Sequence, residues 1–185
     1  MYACDSFFCS PKAVCMAGRS FPAQLVCRSE SLSMLQTVTA AIHEHGSLAC
    51  VQVNVKPVVC GSCPTFSLFN AIGHFVIQLT HAGYFSDRSL ASTPASHEQM
   101  SAQSIFNPAA FRYCRAMSVK DHDNVLNNFV QAASVAVDAG FDCLEVHCGH
   151  GYLLSQFLSP HLNPNTTFEE RLRFPLKVSI NDCEY

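Results

Sequence analysis

The sequence has no tryptophan and little charge: Asp, Glu, Lys and Arg make up 14% of 185 residues, against about 25% in an ordinary soluble domain. Lys and Arg number 11 and Asp and Glu 14, a formal net charge of −3. Without a basic excess there is no electrostatic footprint for nucleic acid. No apolar run approaches the roughly 18 residues of a membrane-spanning helix. The opening Met1-Tyr2-Ala3-Cys4-Asp5 lacks a basic segment followed by an apolar stretch, so no secretory leader is expected. The expectation is a cytoplasmic protein with neither a membrane nor a nucleic-acid partner. Its oligomeric state is not indicated.

What is present is apolar mass and thiols. Apolar residues reach 49%, enough for a substantial core, and the length suits one domain. Cysteines number 11. An odd count with no leader argues for reduced thiols acting as small hydrophobes rather than a disulfide framework. Cys60-x-x-Cys63 is half of a zinc spacing, but no second pair follows at the required distance, and no metal site is expected there.

Residues 1–30 show no periodicity and read as loop. Leu35, Val38 and Ile42 then repeat at helical spacing from Ser31, and His45-Gly46 ends the pattern. Residues 48–52 read as a buried strand and 75–79 as a second, closed by the turn His81-Ala82-Gly83. Residues 84–117, rich in Ser, Ala, Gln and Pro, read as a long loop. Ser118-x-x-Asp121 has the spacing of a capping box. It opens a helix with Val125, Phe129, Ala132, Ala133 and Ala136 on one face and Gly140 at its end. Residues 143–147 form a short apolar strand, followed by the sharp turn Gly149-His150-Gly151. Short helices over 152–158 and 168–178 complete the pattern. A helix, a glycine and then an apolar strand is the cadence of a parallel α/β fold.

In such folds chemistry gathers at the carboxyl ends of strands. Two ends carry polar, titratable groups: 78–81, and the turn bearing His147, His150 and Tyr152. Histidines can donate to a developing oxyanion, and a tyrosine hydroxyl can deliver a proton. Residue types and spacing fit a carbonyl clamp with an adjacent acid. They fit equally two surface histidines beside a packed tyrosine, and less well a zinc site shared with Cys148.

The stretch from Gly140 to Pro160 resembles the signature of the old yellow enzyme family, the FMN-dependent NADH:flavin oxidoreductases and ene reductases, A-G-F-D-x-V-E-I-H-x-x-H-G-Y-L-L-x-Q-F-L-S-P. Gln78-Leu79-Thr80-His81-Ala82-Gly83 resembles the family's Q-L-x-H-A-G-R, with Tyr84 in place of the arginine. Arg115-Ala116-Met117-Ser118 and Glu169-Glu170-Arg171-Leu172-Arg173-Phe174 resemble two further motifs. The resemblance implies a (β/α)₈ TIM barrel, here a partial one, with FMN at its carboxyl mouth and NAD(P)H as reductant. It implies a small electrophilic substrate, an activated alkene or a related compound. On the same ground Gln78 would bond the flavin pyrimidine ring, His147 and His150 would hold the substrate carbonyl oxygen, and Tyr152 would protonate the α-carbon.

Three departures accompany the match. The 185 residues are fewer than the roughly 200–250 of a complete barrel. The resemblance covers the second to fourth βα units, with no recognisable first strand. Removing 53–78 joins Gln52 to Leu79 and restores the family pattern. That segment begins with Val, whose codons open GT, and ends with Gln, which CAG encodes, as a translated intron would. The expectation is an insertion at 53–78, with Gln52 as the flavin ligand once it is removed. After Asn163 the family's Gly-Gly turn is missing. The alternative expectation is a truncated, catalytically inactive fragment or pseudoenzyme without FMN.

Overall fold

A computed structural model of the chain describes residues 10–13, 27–51, 75–86, 99–108 and 111–181. The main sheet consists of β1 (Ser10–Ala13), β2 (Ala49–Val51), β3 (Phe75–Thr80) and β7 (Cys143–Leu144), in spatial order β1-β3-β2-β7. Every pairing is parallel, with Ala13 opposite Thr80, Ala49 opposite Phe75, and Cys50 opposite both Val76 and Cys143. A smaller sheet joins β4 (Met100–Ser101), β5 (Ile105–Asn107) and β6 (Arg112–Ala116); β6 lies parallel to β4 and antiparallel to β5. The helices are α1 (Leu32–Glu44), α2 (Val119–Asp138), α3 (Leu153–Leu158) and α4 (Phe168–Asn181).

Two readings of the sequence are corrected. Residues 1–30 include a strand, β1, which has no local signature. Four residues containing Pro11 cannot show a period, and β1 exists by pairing with β3. It stands at the edge of the described sheet, where a missing N–H is tolerated. Residues 84–117 carry the three strands of the small sheet. Their polar composition suits a sheet held by side-chain bonds to the rest of the fold. Asn107 donates to the Tyr84 carbonyl at 2.7 Å, Gln99 to the Ser86 carbonyl at 2.8 Å, and Gln103 to Asn163 at 2.8 Å.

The helices start and stop where local chemistry dictates. Ser118 caps α2 by accepting from the Asp121 N–H, while the Asp121 carboxylate accepts from the Ser118 N–H at 2.7 Å. Arg115 grips the same carboxylate with two N–H groups, at 2.6 and 3.0 Å. These bonds, the guanidinium first, hold Asp121 well below the usual carboxylate range. The stripe Val125, Phe129, Ala132, Ala133 and Ala136 is buried as its spacing requires. Gly140 (φ +84°) ends α2 in a left-handed cap: the Gly140 N–H donates to the Val137 carbonyl and the Phe141 N–H to that of Ala136. Asp142 then accepts from the Ala49 N–H at 2.7 Å and pairs with His43 at 2.8 Å, binding α1 and β2 to the start of β7. Around α2 the core gathers Leu35, Val146, Leu153, Leu154, Phe157, Phe174 and Val178.

Asp121→Ala removes one half of the capping box and leaves Arg115 without its carboxylate. It is expected to lower unfolding stability by about 1–2 kcal/mol. Urea denaturation checks this, and an unmoved midpoint would show the cap to be energetically idle.

Candidate active site

Two strand ends meet at one side of the main sheet. From β3 the chain runs through His81 and Ala82 into a 3-10 turn at Gly83–Phe85. From β7 it runs through buried Val146 and His147 to His150 and Gly151, both left-handed at φ +54° and +73°, then to Tyr152 at the start of α3. A non-glycine residue at positive φ is uncommon and marks a turn set by its surroundings. The Leu153 N–H donates to the His81 carbonyl at 3.0 Å and ties the two ends together.

This turn brings His147, His150 and Tyr152 into one cluster. His147 Nε2 and His150 Nδ1 stand 3.3 Å apart at hydrogen-bond distance, and the rings are 5.0 Å apart between centroids. The Tyr152 ring meets that of His147 edge-on at 5.1 Å. Phe85 lies 6.2 Å from Tyr152 and stacks on Tyr84 at 4.2 Å. His147 is buried and His150 exposed, so the pair runs from the interior to the surface. A Cβ at Gly149 would lie in ordinary contact with the His147 ring at 3.4 Å, whereas one at Gly151 would press on the Phe85 ring at 3.2 Å. Gly151 therefore leaves room for the Phe85 ring.

Burial disfavours charge here. It lowers His147 to about 4, with the neighbouring His150 adding to the effect, and lowers His81 to about 4 by desolvation alone. Both imidazoles are neutral at pH 7. His81 Nδ1 accepts from the Gly83 N–H at 3.1 Å, so its hydrogen sits on Nε2. Burial pushes the Cys148 thiol up to about 12, so it stays protonated at neutral pH. Among the described residues no three His, Cys, Asp or Glu side chains gather as a metal site would need.

Gln78 lies on β3 opposite Pro11, three positions before His81, and for it the backbone alone is described. Gln52 and the pair Cys60 and Cys63 fall outside the described residues. The last four residues of the expected insertion, Phe75, Val76, Ile77 and Gln78, belong to β3. One site residue escaped the sequence reading. Gln156 is fully buried in α3, and its Nε2 donates to the Gly151 carbonyl at 2.6 Å. Its signal was a single amide in the apolar run 153–158.

Residues 68–180 match the model of the NADH:flavin oxidoreductase / NADH oxidase family. The chain is 33% identical over 151 residues to a 4,4'-dithiodibutanoate disulfide reductase of Rhodococcus erythropolis, covering 82% of this chain and 30% of that protein. It is 30% identical over 177 residues to an NADH:flavin oxidoreductase of Gibberella zeae, covering 83% and 42%. Among solved structures it resembles morphinone reductase in complex with tetrahydroNAD, with a TM-score of 0.71 at 19% identity, covering 94% of this chain and 46% of that one. An old yellow enzyme homologue from Zymomonas mobilis also gives a TM-score of 0.71, at 18% identity and 93% and 44% coverage. The fold is that of part of a (β/α)₈ barrel. The chain spans less than half the length of each of these relatives.

The buried neutral histidines make stability pH-dependent. Unfolded histidines take up protons near 6.5, whereas folded His81 and His147 do so near 4. Stability is thus full above about 6.5 and lost as the pH falls toward 4. Each group contributes a slope of up to about 1.4 kcal/mol per pH unit in that window. Thermal midpoints from pH 7 to 4.5 test this, and a flat series would place both histidines in a wetter environment.

Proposed function

The chain belongs to the NADH:flavin oxidoreductase / NADH oxidase family, and from that premise we propose that it carries the substrate-binding mouth of an FMN-dependent NAD(P)H oxidoreductase acting on activated alkenes or related small electrophiles. The observation that carries this reading is the 3.3 Å approach of His147 Nε2 and His150 Nδ1, with Tyr152 against the same ring. One oxygen can sit within hydrogen-bond reach of two nitrogens so spaced. Donating both N–H groups to a carbonyl oxygen draws electron density from a conjugated double bond and stabilises the charge that develops on that oxygen. His147 serves as a neutral donor, because burial keeps it uncharged at pH 7. The oxygen would displace the imidazole–imidazole hydrogen bond. The Tyr152 hydroxyl would give its proton to the α-carbon.

The residues fit a flavin. Thr80 Oγ1 and His147 Nδ1 are buried at the two strand ends with no hydrogen-bond partner among the described residues, and a ring edged with N–H and C=O groups would satisfy such atoms. Gln78 would bond the pyrimidine edge. When bound, FMN supplies the hydride that reaches the β-carbon, having been reduced by NAD(P)H.

The reading extends to 53–78 as an insertion. In the sheet β2 and β3 stand side by side between β1 and β7. One strand running from 49–52 directly into 79–83 would fill that place alone, with Gln52 in the role of Gln78.

Two tests apply. FMN titrated into the purified chain should lose fluorescence saturably, and in the loaded protein Tyr152→Phe should slow reduction of an enone by about 10²-fold or more while leaving flavin reduction by NAD(P)H unchanged. Absence of binding would sink the FMN assignment, and equal slowing of both half-reactions would remove Tyr152 from the donor role. For the insertion, tryptic peptides of the protein from its source cells should lack 53–78; their detection would refute it.

A further inference from the structure

We infer that Gln156 is the positioning residue that holds His150 and Tyr152 in register with His147. The inference rests on the oxygen-clamp reading above for its purpose, but not for its geometry. Gln156 sits in α3, wholly buried, and its side chain reaches back to the turn that precedes its own helix. There Nε2 donates to the Gly151 carbonyl at 2.6 Å. Gly151 lies between His150 and Tyr152, so this one bond anchors the peptide that joins the exposed imidazole to the proposed acid. The amide can face that carbonyl only through its NH₂ group, because its own oxygen would be repelled.

The other side of the amide abuts the end of β3. A Cβ built on Gly83 would lie 2.6 Å from Gln156 Nε2 and 2.8 Å from Oε1. Gly83, itself left-handed at φ +60°, is the only residue type that leaves the amide its place. Gln156 is therefore wedged between the two strand ends. It touches the first through Gly83 and bonds the second through Gly151.

Stability does not account for the amide. Its Oε1 is buried with no hydrogen-bond partner among the described residues, which costs free energy that an apolar side chain of the same length would not. Methionine would fill the volume without an orphaned oxygen. What methionine cannot do is hold the Gly151 carbonyl, and with it the strained residue His150 at φ +54°. Gln156 contacts no reacting atom in this role; it acts through the turn.

The test uses Gln156→Met. Its thermal midpoint should stay within about 4 °C of the parent, while the cross-relaxation between the His147 and His150 rings, read by NMR without flavin, should be lost. In the flavin-loaded protein the KM for an enone should rise about tenfold, with the rate of flavin reduction by NAD(P)H unchanged. Persistence of the ring-to-ring signal in Gln156→Met would overturn the inference, whatever the flavin experiments show. Should that variant fail to fold, the unsubstituted protein decides. One Gln156 side-chain amide proton should be protected from exchange with solvent, and a freely exchanging amide would overturn the inference.

Discussion

The hydrogen bond from the Leu153 N–H to the His81 carbonyl is the joint on which the site depends. Leu153 opens α3, and the first N–H groups of a helix have no partner within it. Here a carbonyl released by the end of a neighbouring strand meets that need. The same bond satisfies a strand end and a helix start, both buried, that would otherwise be costly. It also fixes the distance between two turns that come from separate βα units. The Gln156 wedge and the ring contact between Phe85 and Tyr152 lie across that joint, and the Gly83 N–H to His81 bond braces its β3 side.

Burial at the joint sets the protonation states. A charged imidazole in an apolar surround is penalised, so His81 and His147 remain neutral donors and acceptors rather than ions. Neutrality suits a carbonyl clamp. A neutral imidazole can donate to an oxygen without first losing an ion's solvation shell. Among the described residues, Thr80 Oγ1, His81 Nε2 and His147 Nδ1 at these strand ends, and Gln156 Oε1 in α3, are buried without a hydrogen-bond partner. Each such atom costs free energy that a residue chosen for stability alone would avoid. The stabilising work is done elsewhere, by the stripe from Val125 to Ala136 and the Arg115–Asp121 cap.

What was legible in the sequence was local. The α2 cap, its buried face and the stop at Gly140 follow from spacings of three, four and seven residues, which a helix enforces. The turn from His147 to Tyr152 was legible as two glycines among titratable residues, and its proposed role came from the resemblance over Gly140 to Pro160. What was not legible depends on partners far along the chain. β1 has four residues and a proline, and only its pairing with β3 makes it a strand. The small sheet lies in a segment whose composition reads as loop, and its strands are held by Asn107, Gln99 and Gln103 reaching other elements. The order β1-β3-β2-β7 could not be read from any window of sequence. Gln156 was visible as an amide in an apolar helix, but its partner, the Gly151 carbonyl, was not.

This division carries over to the two halves of the proposed chemistry. The oxygen clamp and its acid come from six consecutive residues, so their mutual geometry is set by one turn and the few groups that brace it. The proposed flavin contact from Gln78 belongs to β3 instead. It depends on which strand stands beside β1 and β7, and hence on whether 53–78 is part of the working protein. Removing that segment would leave the clamp turn, α3 and the Gln156 wedge unchanged in sequence, because each is built from residues outside it: His81, Gly83 and 147–156. The proposed clamp would therefore keep its residues while the proposed flavin contact passed from Gln78 to Gln52, which removal of 53–78 would join to Leu79-Thr80-His81.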